Sequence, residues 1–273
     1  MSGNERRSRG RPPTSEAGWD RLATWYDGWV GESGSRYHRA LAIPATLDLL
    51  EPAPGEDVLE IGAGQGVLAE HVARAGARYT GVDASPRLID VARRRHGPAG
   101  RFLVGDARRL AAVPELRTAG FDAAVFLLSI QDMDPLESVF GAMSWALRPT
   151  SRVVILMTHP AFRQPRHAGW GFDPGRKLVV RRVDAYLSPM AVPMKELGSG
   201  RPARSYHRPI SAYVNGLAAE GFAVDAMREI PDSLDERRPA ARRAGARAAA
   251  EIPLFLAMRA RRRGRPEHPS GPS

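Results

Sequence analysis

The 273-residue sequence contains no cysteine. This absence excludes disulfide bonds, thiolate metal sites and every mechanism that depends on a cysteine nucleophile. Long apolar runs are also missing: no segment approaches the roughly 18 residues that suggest a membrane span, and the N-terminal segment lacks the apolar stretch of a signal peptide. We therefore expect a cytoplasmic protein without a membrane span, and we predict no metal site.

Lysine is scarce, since only two lysines accompany the arginines that give the chain a formal net charge of +10. The positive charge is concentrated in residues 159–209, which carry +7, and in the two ends, which carry +2 over residues 1–16 and +4 over residues 259–273. Both ends are rich in glycine, proline and serine, as disordered tails are. We predict one domain, residues 17–258, between two disordered basic tails.

Short apolar runs alternate with amphipathic helical patterns along most of the chain. The alternation predicts seven strands, over residues 57–62, 79–83, 101–106, 121–129, 152–158, 222–230 and 252–260. Helices are expected over two parts of residues 16–50 and over residues 66–75, 86–95, 135–147 and 210–221. Continuous apolar strands joined by helices indicate a parallel sheet covered on both faces. The predicted fold class is therefore α/β, with a doubly wound, mostly parallel seven-stranded sheet.

Between residues 159 and 209 the alternation stops, and prolines, glycines and aromatic residues become frequent. This segment follows the fifth predicted strand at its carboxyl end, where open α/β sheets bind their ligands. We interpret it as an inserted cap that contacts the substrate.

The stretch VLEIGAGQGVL, residues 58–68, places a glycine-rich loop between a predicted strand and a predicted helix. A helix N-terminus offers unpaired N–H groups, and glycines let a ligand approach the backbone closely. Dinucleotide sites favour G-x-G-x-x-G/A, but Val67 occupies the third glycine position here. Glu60 adds a carboxylate that would repel a pyrophosphate, yet attract the amino group and the sulfonium of S-adenosylmethionine. No Lys-Ser/Thr pair follows the loop, which excludes a P-loop nucleotide site.

Together with GVDASPRLIDVARRR and VGDARRL, this loop resembles the motifs of class I S-adenosylmethionine-dependent methyltransferases, in particular the small-molecule branch that includes ubiquinone and menaquinone biosynthesis enzymes. The resemblance extends over residues 19–158. It implies a Rossmann-like methyltransferase fold, S-adenosyl-L-methionine as the cofactor, and a helical lid formed by residues 17–50. The resemblance also implies which residues bind the cofactor. They are Tyr26 of the lid and Glu60, Gly62, Ala63, Gly64 and Gly66 of the loop. Asp83 and Ala84 are assigned to the ribose and Asp106 and Ala107 to the adenine, and Leu128 is a further cofactor contact.

Each of these residues also has a purely structural interpretation, because glycines shape turns and acids at strand ends cap helices and turns. Ser85 and Pro86 are explained by structure alone, as an N-cap followed by a proline at the first helical position. Trp25 and Trp29 are expected to pack against the edge of the sheet.

Methyl transfer by in-line displacement mainly requires alignment of the acceptor, and a general base is needed only if the acceptor carries a proton. His159 follows the fifth strand and is the preferred candidate base, with His207 as the alternative. Arg163 and Arg166, three residues apart, could together grip a carboxylate or phosphate, so we expect an anionic acceptor. The candidate substrate contacts are Tyr37, Gln131, Asp132, Arg163, Arg166, Trp170 and Tyr206.

The favoured function is methyl transfer to an oxygen, nitrogen or carbon atom of a small molecule, with secondary metabolism as the suggested context. Methylation of RNA or protein is the first alternative, which the basic tails support. Against a nucleic-acid partner, the domain outside the cap is slightly acidic and the cysteine route to pyrimidine C5 is closed. A nicotinamide-dependent oxidoreductase and a non-catalytic S-adenosylmethionine-binding module are further alternatives. The sequence does not decide whether the chain forms a homodimer.

Overall fold

The computed structural model of the protein describes residues 17–194, 203–232 and 241–263. Seven strands form the central sheet: β1 (Asp57–Ile61), β2 (Arg78–Asp83), β3 (Gly100–Val104), β4 (Phe121–Leu127), β5 (Leu147–Thr158), β10 (Phe222–Pro231) and β11 (Pro253–Arg262). Four strands lie in the cap: β6 (Ala168–Asp173), β7 (Leu178–Val183), β8 (Met190–Pro193) and β9 (Arg204–His207).

The strands of the central sheet follow the spatial order β3, β2, β1, β4, β5, β11, β10. Neighbours from β3 to β5 are parallel, whereas β11 runs antiparallel to both β5 and β10. The chain passes from β1 to β2 and β3 on one side, then to β4 and β5 on the other. This confirms the doubly wound, mostly parallel seven-stranded sheet, and ligands bind to such sheets at the point where the strand order reverses.

The helices cover the two faces of the sheet and supply the lid. They are α1 (Ala17–Val30), α2 (Ile43–Leu50), α3 (Ala69–Arg74), α4 (Pro86–His96), α5 (Leu136–Ala146), α6 (Ile210–Ala219) and α7 (Ala241–Glu251), with a π-helical turn, His38–Ala42, before α2. The start of α4 is as predicted, since Ser85 Oγ accepts a hydrogen bond from the Leu88 N–H at 3.2 Å and Pro86 is the first helical residue. Across the described ranges, no helix is long and apolar enough to cross a membrane.

The central strands send alternate side chains into two apolar cores, one on each face of the sheet. On β1, Leu59 and Ile61 belong to one core and Val58 to the other. On β4, Phe126 belongs to the same core as Leu59, and Val125 belongs to the same core as Val58. These five side chains of β1 and β4 are fully buried. Burial on both faces explains why these strands appear in the sequence as continuous apolar runs.

The domain extends further at its C-terminal end than we predicted. Residues 259–262 belong to β11 rather than to a disordered tail. Arg259 Nε and Arg261 Nε lie 3.0 and 2.8 Å from the carboxylate of Asp225 on β10, which ties the end of the strand to the sheet. The remaining parts of the predicted tails, residues 1–16 and 264–273, lie outside the described residues.

The cap has more regular structure than its sequence pattern indicates. It contains two antiparallel hairpins, β6 with β7 and β8 with β9. Residues 195–202, between β8 and β9, lie outside the described residues. The two hairpins lie between β5 and α6 along the chain, which agrees with an insertion after the fifth strand.

Candidate functional site

A cavity of about 980 Å³ lies at the carboxyl ends of the parallel strands. Its walls come from the strand ends of the sheet, from α1 and the π-helical turn, and from the cap on either side of residues 195–202. Small-molecule sites commonly measure roughly 300–1,000 Å³. The cavity is at the upper end of this range, so it has room for a cofactor and an acceptor together.

The glycine loop forms one wall, and two of its glycines face the cavity, as predicted. Gly62 and Gly64 have φ angles of +77° and +54°, a conformation that glycine adopts at low cost. A Cβ on Gly62 would lie 2.6 Å from the Cβ of Ser129, so no side chain fits there. The Gly64 N–H donates to Asp83 Oδ2 at 2.8 Å, which joins the loop to the end of β2.

Asp83 and Ala84 line the cavity at the end of β2, where the resemblance places the ribose site. The Ser85 N–H donates to Asp83 Oδ1 at 2.9 Å, so both carboxylate oxygens accept backbone hydrogen bonds, and the Ala84 N–H adds a further one. Burial raises the pKa of Asp83, and these backbone hydrogen bonds oppose that effect. Because an ionised carboxylate has about four acceptor positions, Asp83 retains the capacity to accept a hydrogen bond from a ligand hydroxyl group.

Asp106 and Ala107 line the cavity just after β3, where the resemblance places the adenine. The Arg108 side chain donates to Asp106 through Nε at 2.9 Å and through Nη2 at 2.6 Å. Burial alone would raise the pKa of Asp106, but the hydrogen bonds and charge of Arg108 outweigh it and hold this pKa below its usual value. An adenine amino group that donates to Asp106 would therefore use a carboxylate that also accepts hydrogen bonds from Arg108.

The lid forms an aromatic wall that sequence reasoning identified only in part. Tyr26 lines the cavity as predicted, and Trp19 packs edge to face against it at 5.6 Å between ring centroids. Trp29 also lines the cavity while 56% of its surface is exposed, and it stacks on Trp25, which is 44% exposed. The expectation that Trp25 and Trp29 pack on the sheet edge is therefore wrong.

His38 is a cavity residue that the sequence analysis missed. Its Nδ1 lies 2.8 Å from Ser35 Oγ, and burial lowers its pKa to about 4, so the ring is neutral at physiological pH. We had selected its neighbour Tyr37, which instead packs edge to face on Phe255 outside the cavity. The π-helical turn that starts at His38 changes which side chain faces inward, and a regular helical pattern does not reveal such a turn.

Three loop residues assigned to the cofactor lie beneath the cavity rather than on its surface. Glu60 is 1% exposed and accepts a hydrogen bond from the Tyr79 hydroxyl, and burial raises its pKa to about 8. Ala63 is buried, and a Cβ on Gly66 would lie 2.6 Å from the Phe102 ring. The prediction for Glu60, Ala63 and Gly66 is corrected: they shape and support the loop.

Neither candidate histidine base reaches the cavity. His159 is 1% exposed, its Nε2 lies 2.9 Å from Glu229 Oε1, and its Nδ1 accepts the Ala161 N–H at 3.2 Å. His207 is 4% exposed, and its Nε2 lies 2.8 Å from the Tyr186 carbonyl oxygen. Both rings are buried and hydrogen-bonded to other groups of the protein, so neither can reach a ligand in the cavity. The prediction that either histidine is the general base is therefore corrected.

The cap arginines also face away from the cavity. Arg163 Nε donates to the Pro253 carbonyl at 3.2 Å, and its guanidinium lies 5.3 Å from the centre of the Trp170 ring. Arg181 lies 5.0 Å from the same ring, so Trp170 contacts two cations. Arg166 is exposed and does not line the cavity. Arg163, Arg166 and Trp170 therefore do not form the predicted substrate site, and the expectation of an anionic acceptor loses its basis.

The remaining predicted residues do face the cavity. Leu128, Gln131 and Asp132 line it just after β4, and Tyr206 lines it from the cap. Leu128 has a φ angle of +54°, which is rare for a branched side chain, and its carbonyl accepts the Gln131 side-chain amide at 2.6 Å. Burial raises the pKa of Asp132 to about 8. The structure thus brings the loop after β4 and the cap together around one space.

Comparison with known proteins identifies a methyltransferase domain in the chain. Residues 58–150 match a family described as a methyltransferase domain. A ubiquinone biosynthesis O-methyltransferase of Xylella fastidiosa is 30% identical over 142 residues, which are 50% of this chain and 56% of that protein. A nocamycin O-methyltransferase of Saccharothrix syringae is 28% identical over 229 residues, which are 82% of this chain and 76% of that protein.

A solved structure has the same fold. The crystal structure of an S-adenosylmethionine-dependent methyltransferase from Mesorhizobium loti covers 85% of this chain and 100% of its own, with a TM-score of 0.66 and 24% sequence identity. The match to the ubiquinone relative spans only about half the length of that protein. The likeness to the solved structure supports the fold alone.

Proposed function

Because residues 58–150 form a class I S-adenosylmethionine-dependent methyltransferase domain, we propose that the protein transfers a methyl group from S-adenosyl-L-methionine to a small molecule. One observation carries this proposal. The carboxylate of Asp83, joined to the glycine loop by the Gly64 N–H at 2.8 Å, lines a cavity at the carboxyl end of β2. A carboxylate in that place accepts hydrogen bonds from ribose hydroxyls and would repel a phosphate.

The residues on the cavity wall fit the cofactor. Gly62 and Gly64 bring the loop backbone to the cavity wall, and Asp83 and Asp106 supply acceptors for hydroxyl and amino groups. The bound cofactor would supply a methyl carbon attached to positively charged sulfur. Tyr26 would close the site from the lid, since its ring lies 3.6 Å from where a Cβ on Gly64 would be.

The acceptor part of the cavity favours a small, largely apolar molecule. Trp29, Met133, Met194 and Ala203 all line the cavity and offer aromatic or aliphatic surface. Such surface suits a planar or aliphatic compound better than a nucleic acid backbone. Two relatives act, by name, in ubiquinone biosynthesis and on nocamycin, which supports a quinone-like compound or a secondary metabolite as the acceptor.

The test is the affinity for S-adenosylhomocysteine, the demethylated cofactor. We expect Asp83→Asn to weaken it at least tenfold, since a hydrogen bond to a charged group contributes about 1.5–3 kcal/mol. Asp90→Asn makes the same change at an exposed position of α4 that does not line the cavity, and it should leave the affinity unchanged. Isothermal titration calorimetry measures both, with circular dichroism as the folding control.

Two results would oppose the proposal. If the Asp83→Asn variant and the natural protein bind S-adenosylhomocysteine with equal affinity, the assignment of Asp83 to the cofactor site is wrong. Binding of NAD at micromolar concentration would favour the oxidoreductase alternative instead.

A further inference from the structure

We infer that Asp132 accepts the proton of the acceptor molecule, and that the positively charged cofactor prepares Asp132 for this role by displacing the proton it carries in the free protein. The inference rests on the proposed function, because it requires the cofactor to bind in the cavity. It goes further by naming the base and by limiting the acceptor to a hydroxyl or an amine that loses a proton.

The position of Asp132 is held from two sides. It ends the short 3₁₀ turn Ile130–Asp132 after β4, where its N–H donates to the Ser129 carbonyl at 3.0 Å. Ser205, on β9 of the cap, lies on the same cavity wall and lowers the pKa of the Asp132 carboxyl by hydrogen bonding to its ionised form. The carboxyl therefore lies where the sheet and the cap meet, on the wall of the cavity.

The cavity contains four aspartates, and arginines neutralise two of them. Asp106 pairs with Arg108 and Asp134 pairs with Arg208, each at 2.6 Å. Neither Asp83 nor Asp132 forms a salt bridge with an arginine or lysine of the described ranges. The negative charge left inside the cavity therefore belongs to these two carboxyls.

Asp132 has little to stabilise its ionised form in the free protein. Burial is the main reason that its pKa is raised to about 8; the hydrogen bond with Ser205 lowers it, and the charge of Asp83 raises it further. Among the described residues it also interacts with two tyrosines, Tyr26 of α1 and Tyr213 of α6, whose own pKa values are raised by burial. Arg204, next to Ser205 on β9, lines the same cavity but is exposed to solvent. Arg208, which contacts Tyr213, is engaged by Asp134. At neutral pH the free protein therefore holds Asp132 mainly in its protonated form.

A cation in the same cavity makes the ionised form of Asp132 more favourable than the protonated form. A positive charge within several ångströms favours an ionised carboxyl, and the effect is strong where water is excluded. The cofactor carries such a charge on sulfur, whereas its demethylated product does not. Asp132 is thus ionised when the methyl donor is bound and is free to take a proton.

The proton balance of the transfer is simple. The acceptor oxygen or nitrogen forms a bond to the methyl carbon while the carbon–sulfur bond breaks and leaves its electron pair on sulfur. The acceptor's proton passes to an Oδ atom of Asp132, stays there when the products leave, and is released to solvent when the next cofactor molecule binds. A base of this kind contributes roughly 10²- to 10⁴-fold to the rate when the acceptor holds its proton at working pH.

Among the described residues, a histidine on the cavity wall is a second candidate for the general base, but it suits that role less well than Asp132. His38 lines the cavity, but its pKa of about 4 makes it a weak base, and its Nδ1 is occupied by Ser35. His159 and His207 are buried in other hydrogen bonds away from the cavity. Asp132 is therefore the carboxyl on the cavity wall that is left to accept the proton.

The experiment counts the protons released when ligands bind. Isothermal titration calorimetry at pH 7 in two buffers of different ionisation enthalpy gives this number for S-adenosylmethionine and for S-adenosylhomocysteine. We expect the natural protein to release a substantial fraction of a proton with the first ligand and clearly less with the second. Asp132→Asn should abolish this difference between the ligands while still binding both. Asp90→Asn, at an exposed position of α4 outside the cavity, should behave as the natural protein does.

The pH dependence of affinity gives an independent readout. Because the sulfonium favours ionised Asp132, the affinity for S-adenosylmethionine should rise with pH by up to about tenfold per unit and level off above about pH 8. The ligand's own amino group also titrates, but it does so equally with both proteins. The ratio of the affinities of the natural protein and of Asp132→Asn for S-adenosylmethionine therefore reports the titration of Asp132 alone.

The outcomes separate this inference from the proposed function. If the natural protein binds neither ligand, the proposed function fails. If it binds both, but Asp132→Asn releases as many protons with S-adenosylmethionine as the natural protein, the cofactor site stands and the role of Asp132 is refuted.

Discussion

At the scale of single residues, the glycine loop depends on buried groups that the ligand would not touch. Glu60 lies under the loop with its carboxyl bonded to the Tyr79 hydroxyl, and Phe102 packs against Gly66. Gly66 has a φ angle of +83°, so any other residue there would be strained as well as in collision with the ring. These residues determine where Gly62 and Gly64 present their backbone to the cavity.

Glu60 gives the first prediction at this scale. An unfolded glutamate ionises near pH 4.3, whereas burial raises the pKa of Glu60 to about 8 in the folded protein. Between these values the folded state binds more protons than the unfolded state, so stability falls as pH rises. Glu60→Gln removes the titration and keeps an acceptor for Tyr79. The free energy of unfolding of the variant relative to the natural protein, measured by urea denaturation, should therefore increase from pH 5 to pH 8 by up to about 1.4 kcal/mol per pH unit.

Glu56→Gln provides a control of opposite sign. Hydrogen bonds from Arg152 hold the pKa of Glu56 below its usual value, although burial opposes them. Its contribution to stability is present above the unfolded pKa and is lost as the pH falls through the lower, folded value. This variant should be least stable, relative to the natural protein, at neutral pH. A difference for Glu60→Gln that does not change with pH would contradict the assigned burial of that carboxyl.

At the scale of elements, the cap is attached to the sheet by cations packed on an aromatic ring. Trp170 on β6 stands opposite Arg181 on β7 in the hairpin. Arg163 approaches the same ring and donates to the carbonyl of Pro253, the first residue of β11. Burial lowers the pKa of both arginines, which is the cost of packing two cations around one ring. The positive charge of the cap therefore contributes here to its attachment.

This attachment can be tested by hydrogen–deuterium exchange. Arg163→Ala removes a cation–π contact and a hydrogen bond, which together contribute about 1–2 kcal/mol. We expect amide exchange in β6 and β7 to accelerate about tenfold, with the affinity for S-adenosylhomocysteine unchanged because Arg163 does not line the cavity. Arg166→Ala, at an exposed position three residues later, should leave the exchange as it is. Weaker binding of S-adenosylhomocysteine by Arg163→Ala would instead indicate that Arg163 supports the cofactor site.

At the scale of the whole molecule, the cavity joins parts of the chain that are distant in sequence. The glycine loop and the ends of β2 and β3 form its floor, and α1 and the cap form its walls. A ligand held by all of these parts binds the folded state and has no counterpart site in the unfolded chain. Ligand binding should therefore stabilise the complete fold.

Thermal unfolding measures this coupling. At one hundred times its dissociation constant, S-adenosylhomocysteine should stabilise the protein by about 2.7 kcal/mol. For a domain of this size we expect a rise in melting temperature of about 5–10 °C. NAD at the same concentration should produce no shift, and an equal shift with NAD would count against the cofactor assignment.

The prediction from sequence succeeded where the determining forces are local. Apolar periodicity specified the seven strands, because a strand buried on both faces must be apolar throughout. The glycines at 62 and 64 and the acids at 83 and 106 followed from short motifs whose turns are made by neighbouring residues. In these cases the residue type and its neighbours decide the geometry.

The tertiary structure alone decided which residues of the lid and the cap face the cavity. Arg163 and His159 occur just after β5 in the sequence, yet packing against the start of β11 and against β10 turns both away. His38 faces inward because of a π-helical turn, and Asp132 obtains its cap contact from Ser205, which is distant in sequence. Orientation at these positions depends on long-range packing, so the sequence by itself determined the fold and the part of the cavity formed by the glycine loop and the strand ends, and only the folded chain determined the part formed by the lid and the cap.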